Sequence, residues 1–129
     1  RIYRYSETLL NAAELILRTG GDVAKAQGYY NEVRNRAHAS ARTVSLDNLL
    51  EERRLEFVGE GKRYYDLIRF GKAAEVLKPG GGKVLNKAKT AYDVLGIPER
   101  IQWTESKKYL PIPQDEIEAA KGTLKQNEY

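Results

Sequence analysis

Three glutamates spaced four residues apart are the first side chains in this chain that could do chemistry. Glu52, Glu56 and Glu60 fall in one line on a helix, inside the charge-dense segment 51–69. Like charges at this spacing repel one another by a few tenths of a kcal/mol per pair, so cations must neutralise the line. Two interpretations follow: a carboxylate metal site in a helix bundle, or a network of ion pairs.

The sequence favours the ion-pair network. Metal sites in helix bundles combine carboxylates with Glu-x-x-His motifs, and the single histidine of this chain, His38, lies outside the segment. Arginine is a rigid donor that can hold a carboxylate through two parallel hydrogen bonds. We therefore expect Arg34, Arg36 or Arg63 to reach the glutamates and to fix how the helices cross. Neither a metal ion nor a cofactor is expected.

Two other patterns suggest a phosphate or nucleic-acid ligand but do not hold up. The Gly-rich run 79–83 lacks the first glycine of a phosphate-binding loop, because Leu77 stands at that position, and Val84 replaces the required hydroxyl. The formal net charge is +4, yet glutamates interleave nearly all the basic residues of 53–69. The lysines of 83–89 have too few aromatic neighbours to form a stacking platform. We predict no nucleotide and no nucleic-acid partner.

Aromatic side chains could stack on sugar rings, because a flat ring covers apolar C–H groups while its polar tip hydrogen-bonds. Trp103 is the candidate ligand-binding residue, since it lies in an irregular stretch outside the apolar stripes of the helices. Tyr64 lies on such a stripe and is expected to pack in the core. The remaining candidates are Tyr65, Tyr92 and Tyr109. No nucleophile, base and orienting group stand together, so we predict no catalytic residue and no enzyme activity.

The elements that must position these side chains begin with a helical hairpin over 1–37. Apolar residues recur with helical spacing over 9–17, and Gly20 can end that helix in the left-handed conformation. Asp22 can then cap a second helix that begins at Val23. A helix, a short turn and a helix over about 34 residues are typical of one tetratricopeptide-like unit. A single unit cannot bury both of its faces, so the hairpin must pack on other elements.

Two further segments complete the predicted organisation. A long helical segment covers 45–78, capped by Ser45 and kinked at Gly59 and Gly61. A loop-rich tail with a short helix covers 79–129, and no convincing pair of strands occurs in it. The predicted fold class is all-α: a tetratricopeptide-like hairpin, a long helix and irregular C-terminal loops.

Composition limits the remaining possibilities. A chain of 129 residues with 41% apolar positions fits one small domain. Cysteine is absent, which removes disulfides and thiol chemistry. No run approaches the roughly 18 apolar residues of a membrane-spanning helix. Because the chain opens at Arg1 without a start residue or a leader, we expect it to be a piece of a longer protein.

Several runs of residues carry a resemblance to a known family. They are Arg4–Leu10, Asn11–Glu14, Asn31–Ala37, Glu52–Phe57, Glu60–Gly71, Leu110–Gln114 and Gln126–Asn127. The most specific is Glu60–Gly71, which is similar to a Glu-Gly-x-Arg-aromatic-aromatic-Asp-Leu-x-Arg-x-Gly run in that family. Over nearly its whole length the chain resembles the C-terminal region of the SusD/RagB family, nutrient-binding lipoproteins on the outer membrane of Bacteroidetes.

The resemblance implies a fold, a function and partners. The fold would be a tetratricopeptide-like scaffold, and the function non-catalytic binding of oligosaccharide nutrients at the cell surface. The partners would be the glycan and a SusC-type TonB-dependent transporter, with the membrane reached only through a lipid anchor outside this segment. Ligand contacts in the family usually lie upstream of the matching region. The segment would therefore be mainly scaffold, with Arg63 and Asp66 in structural roles.

One alternative does not need the resemblance. The hairpin over 1–37 is also typical of tetratricopeptide-like modules that bind segments of other proteins. The alternative function is therefore a protein–protein interaction module.

Overall fold

The structure, a computed structural model, describes residues 3–78, 82–95 and 102–128. It forms two compact units, Arg1–Phe70 and Gly71–Tyr129. The helices of the described residues are α1 (Tyr5–Thr19), α2 (Val23–Arg36), α3 (Leu46–Glu56), α4 (Arg63–Arg69), α5 (Ala73–Val76) and α6 (Gln114–Ala119), with a short 3₁₀ helix at Glu105–Lys108. The strands are β1 (Gly82–Leu85) and β2 (Tyr92–Leu95). Helices dominate, which confirms the predicted all-α class.

The predicted helical hairpin is confirmed by α1 and α2. Gly20 ends α1 with φ +68°, in the left-handed region that glycine adopts without strain. Asp22 caps α2: one oxygen of its carboxylate accepts hydrogen bonds from the backbone N–H groups of Ala24 at 2.9 Å and Lys25 at 3.2 Å. Each bond satisfies a donor that the first turn of a helix leaves free.

Removal of the α2 cap gives the first testable prediction. Replacing Asp22 by alanine is expected to lower the free energy of unfolding by about 1 kcal/mol, because two N–H groups lose their acceptor. Urea unfolding followed by circular dichroism measures the loss. Glu32→Ala, an exposed position inside the same helix, is the matched control and should change stability by less than about 0.5 kcal/mol. An equal loss in both variants would show that the cap contributes nothing.

The core of the first unit lies where α1, α2 and α3 meet. Leu10 from α1, Tyr30 from α2 and Leu49 from α3 are fully buried in one apolar cluster. Val44, just before α3, joins the same cluster as Leu49, as expected for the residues on either side of the Ser45 cap. The Ser45 hydroxyl accepts the backbone N–H of the third helical residue at 3.1 Å, which confirms that cap.

The predicted long helix over 45–78 is divided among α3, α4 and α5. The kink expected at Gly59 and Gly61 is a break, because these glycines have φ +79° and +72°. A helix cannot continue through left-handed residues. The chain therefore turns after Glu56 and starts a new helix at Arg63.

The expectation of no strand pair in the tail is wrong. Strands β1 and β2 form an antiparallel hairpin in which Val84 faces Asp93. Asn86 organises the connection: its backbone N–H donates to the Ala91 carbonyl at 3.0 Å, and its side-chain oxygen accepts the N–H of Thr90 at 3.0 Å. Strands of four residues are too short for a clear two-residue period, so the hydrogen bonds of a local turn determine this element.

Two runs that carried the family resemblance bond to each other in the tail. The Gln126 side chain accepts the N–H of Ile112 at 2.8 Å and donates to its carbonyl at 2.9 Å. Asn127 donates to the Leu110 carbonyl at 2.9 Å. The prolines around Ile112 keep that backbone out of a helix. The side chains of Gln126 and Asn127 thus supply the partners that a helix would otherwise provide.

Candidate functional site

An open groove of about 710 Å³ lies on the first unit. One face of α1 contributes Glu7, Asn11, Glu14 and Arg18 to it, because side chains spaced three and four residues apart share a helical face. The opposite side comes from Arg53, Lys62, Tyr65, Asp66 and Arg69, in α3, α4 and the turn between them. The groove is therefore where three helices bring charged side chains together.

Arg53 is the centre of the charge network in the groove. Its Nε lies 3.0 Å from Asp66 Oδ2, and its Nη1 donates to Asn11 Oδ1 at 2.7 Å. Its Nη2 lies 3.9 Å from Glu7 Oε1, and Lys62 Nζ lies 3.0 Å from the other oxygen of Glu7. The side chains of Arg53, Asp66 and Glu7 are all more than nine-tenths buried. This network joins α1, α3 and α4.

Arg69 extends the network toward the far end of α1. Its guanidinium donates to Asp66 Oδ1 at 2.9 Å and to Glu14 Oε1. Arg18 Nε donates to the same Glu14 oxygen at 2.7 Å. Burial lowers the pKa of Arg69, but the hydrogen bonds to Glu14 and Asp66 outweigh burial, so the net shift is upward. Asp66 therefore bridges Arg53 of α3 and Arg69 of α4.

Arginines pair with the line of glutamates, which confirms the ion-pair interpretation. Two of the three arginines expected there, Arg34 and Arg36, make these contacts. Arg34 forms a buried ion pair with Glu52. Arg36 Nη2 donates to the Glu56 carboxylate at 2.6 Å. Both pairs tie α2 to α3. Burial and the charge of Glu52 together raise the pKa of the Tyr30 phenol beside them.

The expectation that Arg63 reaches this line is wrong. Arg63 donates to the Leu50 carbonyl at 3.4 Å, because the break before α4 takes it off the helical line of the glutamates. Arg4 takes that place instead. Its Nη1 lies 2.8 Å from Glu56 Oε1, and its Nη2 lies 2.7 Å from Glu60 Oε1. The hydrogen bond to Glu60 makes the largest contribution to the raised pKa of Arg4.

Within residues 3–78, 82–95 and 102–128, no cluster of three or more histidine or acidic side chains could hold a metal ion. Each member of the glutamate line contacts a cation of the protein itself. The described helices also include none that is both long and apolar enough to cross a membrane.

The pairing of Glu56 predicts a dependence of stability on pH. Burial raises the pKa of Glu56, but the hydrogen bond from Arg4 and the charges of Arg36 and Arg4 lower it by more than burial raises it. The net shift of the pKa is therefore downward. A carboxyl group with a lowered folded-state pKa stabilises the fold above its unfolded pKa of about 4.3. That contribution is lost as the pH falls through the folded-state pKa.

Wild type is therefore expected to exceed Glu56→Gln in free energy of unfolding by the largest margin near about pH 7, and the margin should shrink below about pH 4. Urea unfolding at a series of pH values measures this difference. Glu75→Gln is the control, because the Glu75 side chain is 69% exposed. A margin for Glu56→Gln that stays constant with pH would contradict the assignment.

The structure places the candidate aromatic residues in different surroundings. Trp103 is only 9% exposed, whereas Tyr92 and Tyr109 of the same unit are exposed. In the first unit Tyr65 is exposed and meets Tyr64 edge to face, with ring centres 5.7 Å apart. The role of Trp103 as a sugar-binding residue stays a prediction.

The network partners on α1 are the residues that spacing alone could have found. Glu7, Asn11 and Glu14 are separated by four and three residues, which is a polar stripe along one face of α1. A polar stripe normally indicates a solvated face. Here two of its members, Glu7 and Glu14, are more than nine-tenths buried and meet cations from α3, α4 and the turn between them. Arg4 lies outside the helices and gave no signal of this kind.

The fold and the site are those of a helical protein whose buried charged side chains form ion pairs with one another. A sequence model of the SusD family matches residues 1–129. The chain therefore belongs to the SusD family.

Three relatives give the family match its detail. The starch-binding protein SusD of Bacteroides thetaiotaomicron is 43% identical over 72 residues, which are 54% of this chain and 12% of that protein. Surface glycan-binding protein A of the same species, in complex with laminarihexaose, is 55% identical with a TM-score of 0.76, over 100% of this chain and 25% of that one. A SusD-like protein from Bacteroides fragilis is 33% identical with a TM-score of 0.79, over 98% of this chain and 25% of that one. The chain thus spans about a quarter of its solved relatives.

Proposed function

We propose that this chain is the scaffold region of a non-catalytic protein that binds glycans at the outer-membrane surface. One observation carries the proposal: the chain is 55% identical over its whole length to a surface glycan-binding protein whose structure holds laminarihexaose. Identity at this level over the whole chain indicates a shared fold and supports a shared class of ligand.

The scaffold role is supported by how the charged side chains are used. Arg53, Asp66 and Glu7 are buried and bind one another across three helices. Arg34 and Glu52 do the same between α2 and α3. Side chains committed to internal pairs hold helices in place and offer few groups to a ligand. The glycan would then be bound by parts of the protein beyond these residues.

Family membership supports a proposal for the partners and the location. A SusC-type TonB-dependent transporter would receive the glycan, and a lipid anchor outside this segment would hold the protein on the outer membrane. Keeping the binding protein beside its transporter raises the local concentration of nutrient at the transporter entrance. No chemical step on the glycan is required for this role.

A second role within the same function is direct contact with the sugar through Trp103. An indole ring can cover the apolar face of a sugar while its N–H hydrogen-bonds. The exposed fraction of Trp103 is 9% in this chain, so little of the ring is open to a ligand. This favours the scaffold role over direct contact.

A glycan array probed with the intact protein that contains this chain tests the function. We expect it to retain oligosaccharides and to leave them uncleaved, as shown by mass spectrometry of the recovered ligand. Cleavage would contradict the non-catalytic assignment. Failure to retain any glycan, together with capture of a defined peptide, would replace glycan binding by the protein-interaction function.

A further inference from the structure

The groove on the first unit has three large apolar side chains at its edge. Tyr3, Leu15 and Tyr65 are 74%, 63% and 60% exposed and all line the groove. Single exposed apolar residues are ordinary on a protein surface, but several around one concave surface mark an interaction site.

A buried carboxylate oxygen in the same groove lacks a donor. The Glu14 side chain is 4% exposed, and its Oε1 accepts from Arg18 and Arg69. Among the described residues nothing donates to its Oε2. Leaving a buried acceptor unsatisfied destabilises the fold, so natural proteins rarely do it without a reason. The occupant of the groove is therefore expected to bring an N–H or O–H group.

The charged side chains of the groove limit the charge that its occupant can carry. Three carboxylates meet four cations there, and every cation is paired: Arg18 with Glu14, Arg53 with Asp66, Lys62 with Glu7, and Arg69 with Glu14 and Asp66. Because these charges are already paired, a strongly charged ligand finds little to bind. A peptide segment offers apolar side chains that can cover the exposed apolar edge of the groove, and an N–H donor for the Oε2 of Glu14.

We propose that the groove holds a segment of the same polypeptide from outside residues 1–129. This segment covers Tyr3, Leu15 and Tyr65 with an apolar side chain and donates one hydrogen bond to Glu14 Oε2. The solved relatives support an occupant of this kind, since 75% or more of their length lies beyond the part that this chain matches. The inference rests on the proposed scaffold function, because the groove is then where the scaffold receives the rest of the protein.

Hydroxyl-radical labelling of tyrosines in the intact protein tests this inference. Without glycan, Tyr3 and Tyr65 are expected to be labelled at least about tenfold more slowly in the folded protein than in urea, although both are exposed in this chain. Leu15→Lys should displace the segment and restore labelling of Tyr3. Leu55→Lys is the matched control, since Leu55 is 54% exposed and lies outside the groove. It should leave the protection intact.

Two results would overturn the inference. Labelling of Tyr3 and Tyr65 at the rate seen in urea would show that the groove is open in the intact protein. Protection that develops only after laminarihexaose is added would assign the groove to a glycan instead. Neither result depends on the variants, so loss of folding in Leu15→Lys does not affect the test. Glycan binding measured on the same sample shows separately whether the proposed function holds.

Discussion

Replacing Arg53 by alanine is expected to lower the free energy of unfolding by about 3–5 kcal/mol, which is a large part of the stability of a small domain. The Arg53 side chain is 4% exposed and pairs with Asp66 and Glu7, which are also buried. Removing Arg53 leaves the buried Asp66 with Arg69 and the buried Glu7 with Lys62 as their remaining cations, and the Asn11 side-chain oxygen loses its donor at 2.7 Å.

The neighbouring arginine provides the matched control. Arg54 pairs with Glu51 one turn away, but their side chains are 47% and 40% exposed. The hydrogen bond to Arg54 is the main cause of the lowered pKa of Glu51. Arg54→Ala should nevertheless cost less than about 1 kcal/mol, because water screens an exposed pair. Urea unfolding of both variants measures the difference, and similar losses would show that the groove network does not hold the helices.

Replacing Leu49 by alanine is expected to cost about 2–5 kcal/mol. Leu49 is fully buried in the cluster that joins the first three helices. The change removes apolar surface from the core and leaves a cavity where Leu10 and Tyr30 meet α3. Leu49, Leu10 and Tyr30 are far apart in the sequence, so the loss of their packing weakens the whole first unit.

A second leucine on the same helix separates burial from helix propensity. Leu55 is 54% exposed, so Leu55→Ala should change the free energy of unfolding by less than about 0.5 kcal/mol. Thermal and urea unfolding of the two variants test the prediction. A loss below about 1 kcal/mol for Leu49→Ala would place the core of this unit elsewhere.

Local signals predicted the hairpin well. Gly20 and Asp22 each act within one turn of the chain, so residue type and order were enough to define the end of α1 and the start of α2. The same holds for Ser45 at the start of α3. These caps depend on hydrogen bonds between residues a few positions apart, which a sequence displays directly.

The sequence predicted that the glutamates pair with cations, but it did not identify every partner that is distant in the chain. The line of glutamates required cations, and Arg34 and Arg36 supply two of them. The third cation is Arg4, 52 residues before Glu56, and nothing in the spacing of Arg4 distinguishes it from an arginine in solvent. Arg63 was placed on the wrong partner because Gly59 and Gly61 break the helix instead of bending it.

The β-hairpin was missed although its contacts are local in the sequence. Its strands are four residues long, so no periodic pattern could develop, and the turn at Asn86 determines the pairing through its own side chain. The groove could not be predicted either, since it forms only when the polar stripe of α1 meets α3 and α4.

A calorimetric titration of the intact protein with laminarihexaose, repeated with Trp103→Ala, tests most directly the claim that this chain is scaffold. We expect glycan to bind, and Kd to change by less than about twofold in the variant, provided that circular dichroism shows an intact fold. Tyr92→Ala and Tyr109→Ala, at exposed positions of the same unit, should likewise leave Kd unchanged. A loss of tenfold or more in a folded variant, equivalent to about 1.4 kcal/mol of binding free energy, would place a sugar contact within these residues and contradict the scaffold role.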